Sequence, residues 1–227
     1  MRLEVDTLTL RELANGFEWR VEPCATTESE NAVRSVWVTL ANLACQAEVE
    51  VSSSWRGEVD VTPRSQMEEH ESLRREICSP TCVAMALEYW GIPRTTVEVA
   101  SGVRDAANGI YGNWPFNTAY AALQGTHARV VRLWSMGQLT ASLERGVPVI
   151  VRLRWNEGQL DGAPISRSDG HLVLVRGMTD RGDVIVNDPA APTRDTVRRV
   201  YLAAQFEPLW LASGGIAYLI DRGQDAR

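Results

Sequence analysis

The chain has no lysine. Its cations are 23 arginines, set against 29 aspartates and glutamates, and the net charge is −6 over 227 residues. Without lysine, no Schiff-base or lysine-nucleophile mechanism is open to this protein. The acidic balance, with no basic stripe, argues against nucleic acid or an anionic membrane as a partner. No apolar run approaches the roughly 18 residues needed to cross a membrane.

Cysteine is also scarce. Four cysteines (Cys24, Cys45, Cys78 and Cys82) are too few for a disulfide scaffold in a chain of this length. The first thirteen residues, MRLEVDTLTLREL, lack the charged-then-apolar layout and the small-residue cleavage site of a signal peptide. We therefore expect a cytoplasmic protein with reduced thiols.

Residues 1–60 are predicted to be β-rich. Apolar and polar residues alternate over residues 17–21, 36–40 and 47–51, which is the period-two pattern of half-buried strands. Some 60 residues are marginal as an independent fold. We expect this segment to pack on the remainder of the chain, either to support it or to dock a substrate.

Residues 61–227 are predicted to form an α+β domain. Helical signals come first and strand-like apolar runs come after them, which is the order typical of this class. The expected helices are residues 77–90, 95–102, 115–124 and 135–145, and the expected strands are residues 147–155, 171–178 and 184–187.

Cys78 begins the first of these helices, with Pro80 in its first turn and Gly91 at its end. A cysteine is a useful nucleophile only as the thiolate, and a helix N-terminus favours that anion. Backbone N–H groups there also point towards an oxyanion formed on an attacked carbonyl. Cys82 lies one turn later on the same face, and we expect it to be an inert core residue.

His171 is the best candidate for a base among the three histidines. His70 lies in a charged stretch, and His127 lies at a predicted helix-to-strand turn. His171 opens an apolar strand, and the turn signal at residues 179–182 folds the next strand back against it. This hairpin puts Asp188 opposite or diagonal to His171, within about 5–8 Å. A carboxylate there accepts the imidazole proton and orients the base.

Three blocks of sequence then suggest a family. They are Cys-Ser-Pro-Thr at residues 78–81, Asp-Gly-His-Leu-Val-Leu-Val-Arg-Gly at 169–177 and Val-Asn-Asp-Pro at 186–189. In this order they resemble the bacterial cysteine peptidase-like family, family thirty-nine of cysteine peptidases, which is related to the double-glycine leader peptidases. The resemblance implies a papain-like fold, with N-terminal helices packed on an antiparallel sheet. It also implies cleavage of an amide bond in a peptide or protein through a cysteine thioester, with no cofactor and no metal.

The resemblance assigns further residues. The family places a glutamine upstream of the cysteine to complete the oxyanion hole, and Gln66 is the best match. The chain departs from the family pattern in two ways: Gln66 lies twelve positions before Cys78 (78 − 66), and Ser79 replaces a glycine. Residues 111–117 resemble another recurrent segment of the family. This segment either forms one wall of the cleft, with Asn113, Trp114 and Gly170 in contact with the substrate, or packs in the core, where large aromatic residues are common. We expect the loop at 156–168 to border the cleft or act as a lid.

Three alternatives stay open at this point. The same triad supports acyl transfer or transglutaminase-like chemistry, because fold alone does not choose the reaction. A catalytically inactive module that binds a peptide or a cell-wall fragment is the second alternative. The third is a zinc site built from Cys78, Cys82 and His171, although no second nearby pair of ligands completes a tetrahedral set.

Overall fold

The computed structural model of the chain describes residues 54–223 and, before them, positions 2–3, 8–10, 12, 16, 18, 36 and 38–40. The chain divides into two compact units, Met1–Val38 and Thr39–Arg227. Cys24 and Cys45 lie outside the described residues. Within the described part of the chain, no helix has the length and hydropathy required for a membrane span.

The first unit contains a short antiparallel pair. Strand β1 (Arg2–Leu3) pairs with β2 (Leu8–Thr9). Two of the alternating stretches predicted to be strands, residues 17–21 and 47–51, are outside the described residues apart from position 18. In the third stretch, Val36, Val38 and Leu40 are exposed and lie in no strand. The strand predicted there is wrong, because alternation creates a strand only where a neighbouring backbone supplies hydrogen bonds.

The second unit contains the remaining helices and strands. In chain order they are β3 (Gly57–Glu58), α1 (Cys78–Tyr89), α2 (Thr96–Val103), α3 (Trp114–Leu123), β4 (His127–Arg132), α4 (Met136–Glu144), β5 (Val149–Trp155), β6 (Ser168–Met178), β7 (Val184–Asn187), β8 (Arg198–Tyr201), α5 (Ala203–Ala212) and β9 (Ile216–Asp221). Two short 3-10 helices, Gln66–Glu68 and Arg194–Thr196, lie in the connections.

An antiparallel sheet organises this unit. Its strand order is β4-β9-β5-β6-β7-β8, and β3 also pairs with β6. Helices α1, α2 and α3 pack on one face of the sheet, in a core that includes Ile150, Leu172 and Leu174. Helices α4 and α5 pack on the other face, in a core that includes Val173 and Val175. The α+β class, with N-terminal helices on an antiparallel sheet, is confirmed.

Most of the predicted elements form within a few residues of their expected bounds. Helices α1–α4 and strands β5–β7 were all expected from their apolar patterns. Strand β4 follows the helix-to-strand turn predicted at His127, whereas strands β8 and β9 and helix α5 were not predicted. Helix α5 contains Pro208, a residue that normally signals a helix boundary, so its pattern gave no helical signal.

Strands β6 and β7 have unequal lengths, and this leaves part of β6 unpaired next to the candidate site. Strand β6 has 11 residues and β7 has only 4, and the pairing runs only from Leu174 opposite Asn187 to Met178 opposite Val184. The first half of β6 therefore has a free edge on that side. The N-terminus of α1 fills this edge, where the Cys82 thiol donates to the Leu172 carbonyl across 3.4 Å.

Candidate active site

Cys78 is the first residue of α1, as its sequence context predicts. The residue before it, Ile77, gives the helix no side-chain cap, so the first N–H groups of the helix keep their hydrogen-bonding capacity. Cys78 is partly exposed, whereas its neighbour Ser79 is buried. The His171 side chain and the backbone N–H groups of Leu172 and Ser79 lie next to the Cys78 sulfur, close enough to act on its pKa.

These contacts change the acidity of the Cys78 thiol. Burial by itself raises the pKa of the thiol. The hydrogen bond and charge of His171, with the N–H groups of Leu172 and Ser79, outweigh burial, and the pKa of Cys78 is lowered from its ordinary value. The Cys82 thiol has no such donors, and burial raises its pKa well above the ordinary range. The two thiols therefore differ in nucleophilicity although they lie one turn apart.

His171 bridges the thiol and a carboxylate. Its Nε2 donates to Asp188 Oδ1 across 2.7 Å, which leaves Nδ1 as the ring nitrogen available to the nearby Cys78 thiol. The Trp155 ring meets the imidazole edge-on, with the ring centroids 5.8 Å apart. Burial lowers the pKa of His171, but the charge and hydrogen bond of Asp188 and the bond to Cys78 raise it to about 10. The geometry thus favours a thiolate–imidazolium pair.

Asp188 is fully buried and receives three hydrogen bonds. Besides His171 on Oδ1, the Ala190 N–H donates to Oδ1 across 2.9 Å, and the Tyr201 hydroxyl donates to Oδ2 across 2.6 Å. Burial raises the pKa of this carboxyl, but the charge and bond of His171 and the bonds of Tyr201 and Ala190 lower it below its usual range. Asp188 therefore stays ionised although it is excluded from water.

Sequence reasoning missed Tyr201. The residue ends β8, a strand that was not predicted, and its side chain is fully buried. Burial and the nearby Asp188 carboxylate raise the pKa of Tyr201, so its hydroxyl stays protonated and remains a donor. No local motif marks this tyrosine. Only prediction of β8 and its register against β7 would have identified it.

Ser79, the departure from the family pattern, fits its position. It lies in the first turn of α1 with ordinary helical backbone, so no glycine is required there. Its hydroxyl shares a hydrogen bond of 3.1 Å with the Tyr218 hydroxyl on β9. The substitution therefore adds a tie between α1 and the sheet beside the Cys78 thiol.

Gln66 is buried beside the segment that comes after β7. Its backbone N–H donates across 2.8 Å to the carbonyl of Pro189, the residue that follows Asp188 in the chain. Its side-chain Nε2 donates to the Arg74 carbonyl across 2.7 Å. Its Oε1 has no hydrogen-bond partner among the described residues. The amide is thus held by the turn between the 3-10 helix and α1, and its role in an oxyanion hole stays a prediction.

The three predicted substrate contacts have different surroundings. Asn113 is buried as the cap of α3: its Oδ1 accepts from the Phe116 N–H and its Nδ2 donates to Asp105. Trp114 is partly buried and lies under a guanidinium, that of Arg152, which is 5.8 Å from its ring centroid. Gly170 is exposed on β6 directly before His171. Trp114 and Gly170 are therefore the better placed for contact with a substrate.

The loop before β6 is anchored rather than free. Leu160 is buried in the core beneath α5. Asp161 exchanges two hydrogen bonds with the Gln205 side chain of α5, and Arg199 donates to the Gly162 carbonyl. Of the two roles predicted for residues 156–168, bordering the cleft fits these ties better than closing over it as a lid.

His70 and His127 lie on the surface, and the structure also bears on the zinc alternative. His70 is exposed, and His127 is exposed at the start of β4, so neither lies in a buried site. Across residues 54–223 and the few earlier positions described, no group of three or more His, Cys, Asp or Glu side chains is arranged to hold a metal ion.

The fold is similar to those of solved C39-like peptidase structures. The structure resembles that of a C39-like peptidase from Bacillus anthracis, with a TM-score of 0.53 and 18% identity over 72% of this chain and 97% of that one. It also resembles the peptidase domain of Streptococcus ComA, a bi-functional ABC transporter, with a TM-score of 0.51 and 14% identity over 72% of this chain and all of that domain. A search of curated proteins gives no match. The model of the Peptidase_C39 like family matches residues 58–218. The chain belongs to this family of cysteine peptidase-like hydrolases.

Proposed function

We propose that the protein hydrolyses an amide bond of a peptide or protein, with Cys78 as nucleophile, His171 as acid and base, and Asp188 as the residue that orients the base. The observation that carries this proposal is that the His171 ring is hydrogen-bonded to the buried Asp188 carboxylate and lies beside the partly exposed Cys78 thiol, whose pKa it lowers. A nucleophile, a base and an orienting carboxylate in hydrogen-bond contact are the arrangement that acyl transfer requires.

The proposed reaction has two halves. In the first, the Cys78 thiolate attacks the substrate carbonyl carbon, the C–N bond breaks, and His171 gives its Nδ1 proton to the departing amine. A thioester remains on Cys78. In the second, His171 takes a proton from water, the resulting hydroxide attacks the thioester carbonyl, and the C–S bond breaks. The acid product leaves, and the thiolate–imidazolium pair is restored.

Two donors are proposed for the oxyanion that forms in each half. One is the Cys78 backbone N–H, at the first position of α1, where the helix itself supplies no acceptor. The other is the Gln66 side-chain amide, whose Nε2 carries two N–H groups and gives one of them to the Arg74 carbonyl. We propose that its second N–H serves the oxyanion.

Asp188 acts on the reaction only through His171. Its Oδ1 holds Nε2, so the ring presents Nδ1 to the thiol in both protonation states. We assign Tyr201 as a positioning residue one step further out, because its hydroxyl occupies Oδ2 and prevents rotation of the carboxylate. The charge of buried Asp188 stabilises the imidazolium.

Residues 61–227 are proposed as the catalytic domain and residues 1–60 as a supporting or docking segment. Strand β3 pairs with β6, Gly57 opposite Met178, and the buried Arg176 donates to the Val59 and Val61 carbonyls. These contacts join the residues around the proposed boundary to the strand that carries His171. Gly57 and Glu58, just before the proposed boundary, therefore belong to the same sheet as His171.

Selective alkylation tests the proposal. Treat the protein with iodoacetamide below neutral pH, map the adducts by mass spectrometry, and assay cleavage of a mixed peptide library. Because His171 lowers the pKa of the Cys78 thiol, we expect rapid labelling at Cys78 and a labelling rate that falls at least about tenfold in His171→Ala. Cleavage is expected to disappear in Cys78→Ala.

Cys82→Ala is the matched control, because the pKa of that thiol is raised and its sulfur is buried. We expect it to retain both labelling at Cys78 and cleavage. Equal, slow labelling of all cysteines with no cleavage would reject the proposal in favour of an inactive binding module.

A further inference from the structure

A strip of arginine and tryptophan side chains begins at Gly170 of β6 and crosses the sheet face that carries α1–α3. On β5, Arg152 donates through Nη2 to the Asp169 carbonyl across 2.7 Å. The same Nη2 lies 3.0 Å from the place where a Cβ of Gly170 would be. Its guanidinium faces the Trp114 ring. The strip therefore starts one residue before the proposed base in the chain, on the sheet face where the proposed nucleophile Cys78 packs.

Arg132 extends the strip to β4, at the edge of the sheet. It pairs opposite Ile216 of β9, and its guanidinium lies 5.5 Å from the Trp134 ring centroid. Both terminal nitrogens lie 3.3 Å from the place where a Cβ of Gly214 would be. Arg152 Nη1 donates to the carbonyl of the neighbouring Ser213 across 3.2 Å. The two guanidinium groups thus both approach the turn before β9, at the neighbouring residues Ser213 and Gly214. The strip is made of Arg132, Trp134, Arg152 and Trp114.

The charge of Arg132 has no counter-ion in the described part of the chain. It is partly buried, and no carboxylate or hydrogen-bond acceptor among the described residues pairs with it. Burial lowers the pKa of the Arg132 guanidinium, because removal of a cation from water without a counter-ion is unfavourable. The exposed acid at the start of β6, Asp169, lies instead 3.6 Å from Arg154. A bound carboxylate would compensate for the desolvation of Arg132.

Strand spacing gives the distance from the site. Arg132 lies three strands from His171 in the order β6-β5-β9-β4, which is about 14 Å at about 4.8 Å per strand. An extended peptide advances about 3.3 Å per residue, so the same distance corresponds to about four residues.

We propose that the strip is a substrate subsite that binds an acidic side chain about four residues from the cleaved bond. The inference rests on the proposed peptidase function. The Arg132 guanidinium would form charge-assisted hydrogen bonds with the carboxylate. The faces of Trp134 and Trp114 would pack on the stem of the acid and on neighbouring residues. An acidic protein with a net charge of −6 would thereby select acidic peptides through a local cationic surface.

The test uses one peptide that the enzyme cleaves, with a single Glu moved along both sides of the scissile bond and Gln at the same positions as the neutral reference. We expect one Glu position, about four residues from the bond, to raise kcat/KM about tenfold over Gln. Arg132→Gln should remove that preference, and Arg132→Glu should reverse it. Arg181→Gln, at the exposed hairpin tip between β6 and β7, is the matched control and should keep the preference.

Binding of the same peptides to Cys78→Ala, followed by fluorescence anisotropy, separates this inference from the proposed function. A Glu preference in binding that Arg132→Gln abolishes supports the strip even if no peptide is cleaved. Equal binding and cleavage of the Glu and Gln series would overturn the inference and leave the peptidase proposal standing. A preference that Arg132→Gln leaves unchanged would overturn it as well.

Discussion

At the scale of single residues, Asp188 depends on donors that lie far away in the chain. The carboxylate is 17 residues from His171 and 13 from Tyr201, and each of them occupies one of its oxygens. A buried carboxylate that loses a donor is costly, because its charge is then stabilised by fewer dipoles. Tyr201 therefore affects the protonation of Asp188 without touching the substrate.

Tyr201→Phe is expected to lower kcat/KM roughly three- to tenfold and to move the acid limb of its pH profile to higher pH. The hydroxyl lowers the pKa of Asp188, so its removal raises that pKa, and the orienting charge is lost at a higher pH. The measurement is the pH dependence of peptide cleavage. Tyr89→Phe is the control, because the Tyr89 hydroxyl donates to the Gly146 carbonyl, away from the site. A reduced rate with an unmoved acid limb would mean that Tyr201 only supports the fold.

The contrast between Cys78 and Cys82 was predictable at this scale, and Tyr201 was not. Cys78 lies at the N-terminus of α1, and the helical spacing puts Cys82 one turn further along the helix. Both positions follow from the local sequence of residues 77–91. The hydroxyl on Asp188 comes from a strand whose sequence, Arg-Arg-Val-Tyr, has little apolar pattern. Its contact arises from pairing with β7, which is a property of the sheet.

At the scale of elements, the close approach of β3 to β6 depends on Gly177. A Cβ at this position would lie within 2.9 Å of the Glu58 Cα and closer still to the Gly57 carbonyl oxygen. Both are backbone atoms, so relief requires movement of β3 itself. The absence of a side chain at Gly177 therefore allows this extra strand to pair beside the β6 bulge that precedes Gly177.

Gly177→Ala is expected to lower the free energy of unfolding by about 1–3 kcal/mol, the usual cost of forcing atoms into a packed position. Urea denaturation at neutral pH measures it. Gly112→Ala is the matched control, since no atom lies within 4 Å of a Cβ placed there and its φ is ordinary. That control should change stability by no more than about 0.5 kcal/mol. Equal stability of the two variants would show that β3 moves freely from β6.

The elements themselves were largely predictable, because their signals are local. The turn at residues 179–182 closes with Gly182 N–H to Thr179 carbonyl and Thr179 N–H to Asp183 carbonyl bonds, and it set the register that brought Asp188 to His171. The end of β7 at Asn187 was predicted as well. What the sequence did not predict is that α1 packs on the free edge of β6, where the Cys82 thiol donates to the Leu172 carbonyl.

At the scale of the whole molecule, the buried charges couple stability to pH. The folded pKa of His171, about 10, lies above its ordinary 6.5, so its contribution is full below 6.5 and is lost as pH rises towards 10. The folded pKa of Cys78 lies below its ordinary 9.0, so its contribution is full above 9.0 and is lost as pH falls. The two dependences have opposite signs and partly cancel in the native chain.

Removal of the thiol should therefore expose the His171 dependence. In Cys78→Ala the Asp188 charge still raises the pKa of His171, and we expect the free energy of unfolding to fall as pH rises above 6.5. The slope is at most about 1.4 kcal/mol per pH unit and should be steeper than in the native chain. Urea denaturation across pH 6.5 to 9.0 measures it, with Cys78→Ala/His171→Gln as the control. A slope that survives in the double variant would assign the dependence to another group.

The amino-acid sequence by itself determined the class of fold, the helix that begins at Cys78 and the hairpin that sets His171 against Asp188. These features depend on the period of the hydrophobic pattern, on turn residues and on spacing within stretches of about 20 residues, where few local conformations fit the sequence. Tertiary structure alone decided the hydrogen bond of the Tyr201 hydroxyl to Asp188, the packing of α1 on β6 at Leu172 and the approach of Arg132 and Arg152 to the same turn. Each of these depends on which strands become neighbours, and strand order is set by packing of both cores on the sheet rather than by any local pattern.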